Sequence, residues 1–313
     1  MLKGALGSVA IRFSAIPLSF FVSVFLARTL AVDDFGKYSY IISCISLFML
    51  PVFTGWTNYV IREMGKRSST SSCGFKNVAV STIFINVIFS SLAVFFIFLT
   101  TEYSYSVLIT SFCVALFFSL TANFAGVVRS LGYTVLGQLP DSIVKPFVFL
   151  ALLLGFFLLD NSLDVRTALT YQFLGLVASL LLVIFFLKKL RLFDVAASSN
   201  GSRRYAPYII FALPFLGMSI LNSANTNLPM IYLGNFASDE SVSMYRVAQQ
   251  VSSLVNICLA GVLAWSAPIV ASFDKAQKVE QKKILRKATL ISLVPTVVGA
   301  AIVILLSDFI IEL

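Results

Sequence analysis

The residues able to do chemistry in this chain are few, and nearly all sit inside or at the edge of apolar stretches. Arg12, Arg62, Arg129 and Lys145 supply cations; Asn222, Asn225, Asn227 and Gln249 supply amides. A charge held within hydrocarbon costs on the order of 2.5–3.5 kcal/mol at a helix centre, so each such residue is a candidate site. Arg12 precedes Pro17 by five residues, and that proline removes a backbone hydrogen bond and should kink the helix. A basic group below a kink suits a cavity open to the cytoplasm, and equally a side chain snorkelling to the inner headgroups. Lys145 lies between Asp141 and Pro146, and the i, i+4 spacing of Asp141 and Lys145 fits a structural ion pair. Arg62 and Arg129 end apolar stretches, where retention of positive charge on the inner side is the default account.

The amides are grouped. Asn222, Asn225 and Asn227 fall within six residues, with Pro229 after them and Pro207 and Pro214 before. Gln249, Gln250 and Asn256 follow in the next stretch. Amides facing lipid would be left unsatisfied, so these face protein, water or substrate. Hydrogen bonding between helices is the simpler role; the nearby breaks favour a hydrated central cavity.

Other chemistry is excluded by what is missing. The chain has no histidine, which removes histidine metal sites, proton relays and Ser-His-Asp hydrolysis. Its cysteines, Cys44, Cys73, Cys113 and Cys258, share no metal-ligand spacing. There is no glycine-rich phosphate loop and no paired-carboxylate cleft. An enzyme is not expected, nor any cofactor or metal.

These residues are positioned by nine apolar stretches, at 9–31, 38–61, 78–100, 105–128, 142–159, 167–187, 206–236, 245–273 and 284–307. Most reach the roughly 20 residues needed to cross a hydrocarbon core. With 58% hydrophobic residues, 12% charged and mean hydropathy +0.94, the fold class expected is all-α, a polytopic transmembrane bundle. Placing the N-terminus in the cytoplasm puts every basic residue except Arg28, Lys37, Arg166 and Arg246 on the inner side. That distribution explains the net charge of +9 without nucleic acid. Acidic residues mark the short outer turns: Asp33 and Asp34, Asp160 and Asp164, Asp239 and Glu240.

The longest hydrophilic segment divides the chain. Residues 1–190 form an expected six-span lobe, 191–204 a polar cytoplasmic linker, and 205–313 the first three spans of a second lobe. A weak internal echo supports two halves. LARTLAVDDFGKY ends at Tyr38 and IYLGNFASDESVSMY ends at Tyr245; each joins a leucine-containing helix end to an acidic turn, an apolar residue and a tyrosine. Parallel repeats about an axis along the membrane normal are a common transporter design.

FLARTLAVDDFGKYSY, followed by GWTNYVIREMGK, resembles the signature of the polysaccharide-biosynthesis transporters, which include the Wzx-type O-antigen flippases. The matching residues are Leu26, Ala27, Arg28 and Leu30, then Phe35, Gly36 and Tyr38, then Arg62 and Glu63. VVRSLGY, SMYRVAQQ and SAPIV extend the resemblance over most of the chain. Two features depart from the pattern. Members usually have about twelve spans or more, so the second lobe looks incomplete, and the acidic residue often found near the position of Asn227 is absent.

The resemblance implies a flippase moving undecaprenyl-pyrophosphate-linked oligosaccharide from the cytoplasmic to the periplasmic leaflet of a bacterial inner membrane by alternating access. Its implied partners are the lipid-linked oligosaccharide and membrane lipids, with polysaccharide polymerase and chain-length proteins as further candidates. A proton or sodium gradient is the candidate driving force. Arg12, Arg62, Arg129 and Lys145 would then meet the pyrophosphate, since arginine in particular binds phosphate oxygens in a planar fork. Asn222, Asn225, Asn227 and Gln249 would contact sugar or ion. The competing readings are a cation-coupled multidrug exporter of the same superfamily, an inactive truncated product, and, less favoured, a glycan polymerase or ligase.

Overall fold

The computed structural model describes residues 2–65, 75–158, 163–190 and 223–252, with Leu293 and Val297; for Arg12 and Arg62 only the backbone is described. The expected linker, Asn222 and most of the last three expected spans lie outside these residues.

The described chain is helical, and the all-α expectation holds. Helix α1 is Leu2–Thr29, α2 Val32–Phe48, α3 Thr57–Gly65, α4 Phe75–Thr100 and α5 Tyr105–Ser130. Then follow α6 Thr134–Leu139, α7 Lys145–Phe157 and α8 Val165–Lys189. Residues 223–236 and 239–252 are also helical. Segments Val78–Thr100, Tyr105–Ser130, Thr134–Phe157 and Val165–Lys189 are each long and apolar enough to cross a membrane. This is a multi-pass membrane protein.

Two spans are broken by π-helical turns, Pro51–Trp56 before α3 and Pro140–Val144 before α7. Each turn begins with proline, which has no N–H to give to the carbonyl four residues back. The ladder reopens with a wider turn, as π-bulges do. At the first turn Val52 and Phe53 both donate to the Met49 carbonyl, at 3.1 and 2.8 Å. The helix axis consequently turns by 54° between Val32–Phe48 and Pro51–Ile61. At the second turn the Ser179 hydroxyl donates 3.0 Å to the Pro140 carbonyl, tying the turn to α8.

Helices α5 and α8 form the most extensive packing pair, with α4, α7 and α3 around them. One core joins α1, α2, α5 and α8 through Leu26, Phe35, Ile41, Val114, Leu169 and Leu176. Lipid chains are as apolar as leucine, so close packing and internal hydrogen bonds hold such a bundle rather than escape from water. A run of polar side chains crosses its interior. Trp56 Nε1 donates to Thr82 Oγ1 (2.8 Å) and Thr57 Oγ1 to Asn123 Oδ1 (2.8 Å). Asn123 Nδ2 donates to the Ser119 carbonyl (2.8 Å), and the Ser119 hydroxyl donates to Asn86. Gly132, at φ +89°, reverses the chain between α5 and α6, a conformation that suits glycine alone without strain.

Candidate functional site

One end of the bundle is acidic. Asp34, Glu102 and Asp164 share it with Lys37 and Arg166, around an open depression of about 610 Å³. The opposite end carries Arg129, Lys188 and Lys189 in the last turns of α5 and α8.

At the acidic end, the two echoed turns of the sequence lie against each other. Matching Tyr38 with Tyr245 pairs Gly36 with Ser243 and Val32 with Asp239. In the structure Gly36 packs against the backbone of Asp239, and the Ser243 hydroxyl donates to the Val32 carbonyl. The two contacts are images of one another, as an approximate two-fold axis generates. Along the same face of α2, Tyr40 packs on Gly234, shares a hydrogen bond with Thr100 Oγ1 (2.8 Å) and donates to Asn235 Oδ1 (3.1 Å). Ser43 then reaches Met230 Sδ at 2.9 Å. Tyr38, on a neighbouring strip of α2, donates to Gln172 of α8 at 2.9 Å. Beyond Gly36, Tyr38, Asp239 and the echoed turn that holds Ser243, none of these residues stood out in the sequence; tyrosine, serine and asparagine one helical turn apart are ordinary until a partner helix is placed beside them.

The sequence-predicted basic residues separate into different roles. Arg129 folds back along α5, its Nη2 and Nε donating to the carbonyls of Ala122 (3.3 Å) and Ala125 (3.4 Å). A cation at a helix C-terminus complements the partial negative charge there. Gly137 of α6 lies against its stem, where a Cβ would come 2.5 Å from Arg129 Cγ. Arg12 and Arg62 are placed on α1 and α3 by backbone alone.

The expected ion pair of Asp141 with Lys145 does not form. The π-turn Pro140–Val144 widens the helix between them, so the i, i+4 geometry of a regular helix is lost. Lys145 Nζ sits instead 4.9 Å from the centroid of the Phe118 ring, a cation–π contact. Phe118 also stacks on Phe53, with centroids 5.3 Å apart and planes at 14°. Asp141 Oδ1 and Gln138 Oε1 are both buried without a hydrogen-bond partner among the described residues.

The amides are mostly occupied locally. Asn227 Nδ2 donates to the Ser223 carbonyl (3.0 Å) and hydroxyl (2.9 Å). Gln249 donates to the Thr226 carbonyl (2.8 Å) and accepts from Arg246 Nη1 (3.2 Å), joining helices 223–236 and 239–252. Asn225 is exposed. Mid-span Asn86 and Asn123, which carry the interior polar run, were legible by the same reasoning that marked these amides and were not singled out. Among the described residues no group of three or more Cys, Asp or Glu is placed to hold a metal.

The sequence model of a family described as polysaccharide biosynthesis protein matches residues 1–273. No curated protein sequence matches the chain. Two solved structures share its fold. One is a MATE multidrug transporter, DinF-BH, solved as a ligand complex: TM-score 0.65, 16% identity, covering 98% of this chain and 74% of that one. The other is an inward-facing multidrug resistance MATE family transporter of the MOP superfamily: TM-score 0.66, 13% identity, with the same coverage of 98% and 74%.

Proposed function

The chain belongs to the polysaccharide biosynthesis protein family, and from that membership and the transporter fold we propose that it is a flippase for undecaprenyl-pyrophosphate-linked oligosaccharide, of the O-antigen kind. Glycolipid enters from the cytoplasmic leaflet of a bacterial inner membrane and leaves in the periplasmic leaflet by alternating access. The N-terminus is cytoplasmic, because that orientation puts the basic end of the bundle inside. The acidic end is then periplasmic, and the paired turns at Gly36 and Ser243 hold the two halves together there.

The observation that carries this reading is Lys145. Its ammonium lies within a membrane-spanning bundle, in contact with Phe118 and in no salt bridge among the described residues, with the buried Asp141 carboxyl acting on it only at longer range. A cation in that setting is expensive unless an anion joins it. A pyrophosphate headgroup supplies that anion, whereas a cationic drug would be repelled. Arg12 and Arg62 remain candidates for the same headgroup, and Asn225 for sugar contact. Arg129 is a candidate too, with its Nε and Nη2 resting on carbonyls of its own helix. Asp141, with its bare Oδ1, favours a second reading in which a proton or sodium ion binds there. That would power the flippase or, in its absence, a drug exporter of the same superfamily.

Complementation tests this. In a strain lacking its own O-antigen flippase, the chain should restore surface polysaccharide, and Lys145→Gln at equal protein level should abolish the gain. Drug resistance without polysaccharide, from stably inserted protein, would instead establish the exporter.

A further inference from the structure

Arg246 is one of the basic residues that the inner-side pattern leaves out, yet it does not stand in an outer turn. It lies within helix 239–252, about 10 Å along it from the paired turns. The residue is partly exposed, but its charged group sits deep among protein atoms. Nη1 donates to Gln249 Oε1 at 3.2 Å, and among the described residues the guanidinium makes no salt bridge. Its neighbour from the first half is Tyr38 of α2, close enough for the two groups to interact electrostatically. Tyr38 in turn donates to Gln172 Oε1 of α8, which leaves the Gln172 NH2 group as the end free to donate. The echoed turns sharpen the point. Matching Tyr38 with Tyr245 pairs Arg246 with Ser39, whose buried Oγ has no hydrogen-bond partner among the described residues. The first half builds the same turn without a cation, so packing of the turns does not require one. A guanidinium withdrawn from water and in no salt bridge is costly until an anion joins it.

We propose that Arg246 is a second anion subsite, on the outer side of Lys145, which takes the pyrophosphate of the glycolipid on its way to the periplasmic leaflet, with the Gln172 amide as a further donor. The inference rests on the glycolipid reading above and adds a station to it. Lys145 begins α7, about 18 Å along that helix from its outer end at Phe157. Arg246 is only about 10 Å from the paired turns at the same end of the bundle, so the two cations stand at different depths. A diphosphate leaving the first meets the second before it reaches water, which lowers the cost of carrying charge through the membrane. Arginine suits the task because its planar fork binds phosphate oxygens in pairs. Snorkelling to the outer headgroups is the other use of such a side chain. Here the bond to Gln249, one turn further in, and the Tyr38 neighbour hold the guanidinium between the halves instead. Tyr38 and Gln172 belong to the first half and Arg246 to the second, so parting of the halves opens the subsite to the passing headgroup.

The test uses the full chain in lipid nanodiscs and two probes, undecaprenyl pyrophosphate and undecaprenol, which share a tail and differ in charge. Arg246→Gln should weaken pyrophosphate binding roughly tenfold, the scale of one hydrogen bond to a charged group, and leave undecaprenol unchanged. Arg246→Lys should retain part of the preference. Lys145→Gln should leave a residual preference for the pyrophosphate, and adding Arg246→Gln should remove it. Gln172→Glu keeps an acceptor for Tyr38 but sets a carboxylate near the guanidinium. It should weaken pyrophosphate binding at an unchanged or raised melting temperature, so a folding loss in Arg246→Gln does not decide the result. Equal pyrophosphate binding by Arg246→Gln and the parent overturns the inference. An equal loss for both probes does so too, as does a Lys145→Gln protein with no preference left. A parent chain that binds both probes equally overturns the glycolipid reading itself, a different and separable result.

Discussion

Gly36 packs so closely on Asp239 that a Cβ at position 36 would collide with the Asp239 carbonyl, its carbon lying 2.7 Å away and Ser243 Oγ 3.0 Å away. Backbone, rather than a flexible side chain, occupies that space. Gly36→Ala therefore forces the two turns apart. The cost is of the overpacking kind, about 1–3 kcal/mol. The expected outcome is a lowered melting temperature of the purified protein and greater thiol labelling of a cysteine placed at Val32. Unchanged labelling would mean that the turns do not meet in the membrane.

The same contact should respond to pH. Burial raises the Asp239 carboxyl above its ordinary range; Lys37 opposes this, and the charges of Asp33 and Asp34 reinforce it. A carboxyl whose folded-state pKa is raised stabilises the folded contact fully only below its unfolded pKa, near 3.9. That stabilisation is lost as pH rises through the raised value. Acidifying the outer face should therefore tighten the turns. Crosslinking yield between cysteines at Val32 and Ser243, normalised to a cysteine pair elsewhere in the chain because thiolate chemistry itself slows at low pH, should increase as pH falls, and Asp239→Asn should make it high and insensitive to pH. A normalised yield that drops on acidification contradicts the assignment.

The polar run through the bundle is structural. Asn123 links α5 to α3 through Thr57 and donates along α5 to Ser119, and it is almost fully buried. Asn123→Ala leaves Thr57 without that acceptor and should destabilise the fold by about 1–3 kcal/mol. Thermal unfolding in detergent reads this directly. Among correctly inserted molecules, transport per molecule should stay near that of the parent.

Arg129 and Lys145 should separate on two readouts. Arg129→Gln loses bonds to the Ala122 and Ala125 carbonyls and is expected to lower stability first. Lys145→Gln loses one cation–π contact, about 0.5–2 kcal/mol, and is expected to lower transport far more than stability. A Lys145→Gln protein that melts early and transports normally would remove Lys145 from the site.

Some of this was legible in the residues alone. Long apolar stretches can only be satisfied internally by helices, so class and membrane location followed from hydropathy. Motifs near Arg28, Gly36 and Arg62 pointed to the family that the match over residues 1–273 shows. The Asp141–Lys145 pair was misread, because i, i+4 spacing presumes an unbroken α-helix and Pro140 opens a π-turn there. The contacts of Arg129 with the Ala122 and Ala125 carbonyls were hidden as well, because nothing in its neighbours along the chain said that it would fold back along its own helix.

What the sequence determined by itself was periodicity, composition and charge order, since these depend on each residue's partition between water, headgroup and hydrocarbon. Only the tertiary structure decided which side chains meet. Gly36 and Asp239 lie in separate halves of the chain, and Phe53, Phe118 and Lys145 come from three different helices. Such contacts depend on how bent helices pack in three dimensions and on which turns approach one another, and no local pattern of residues encodes either.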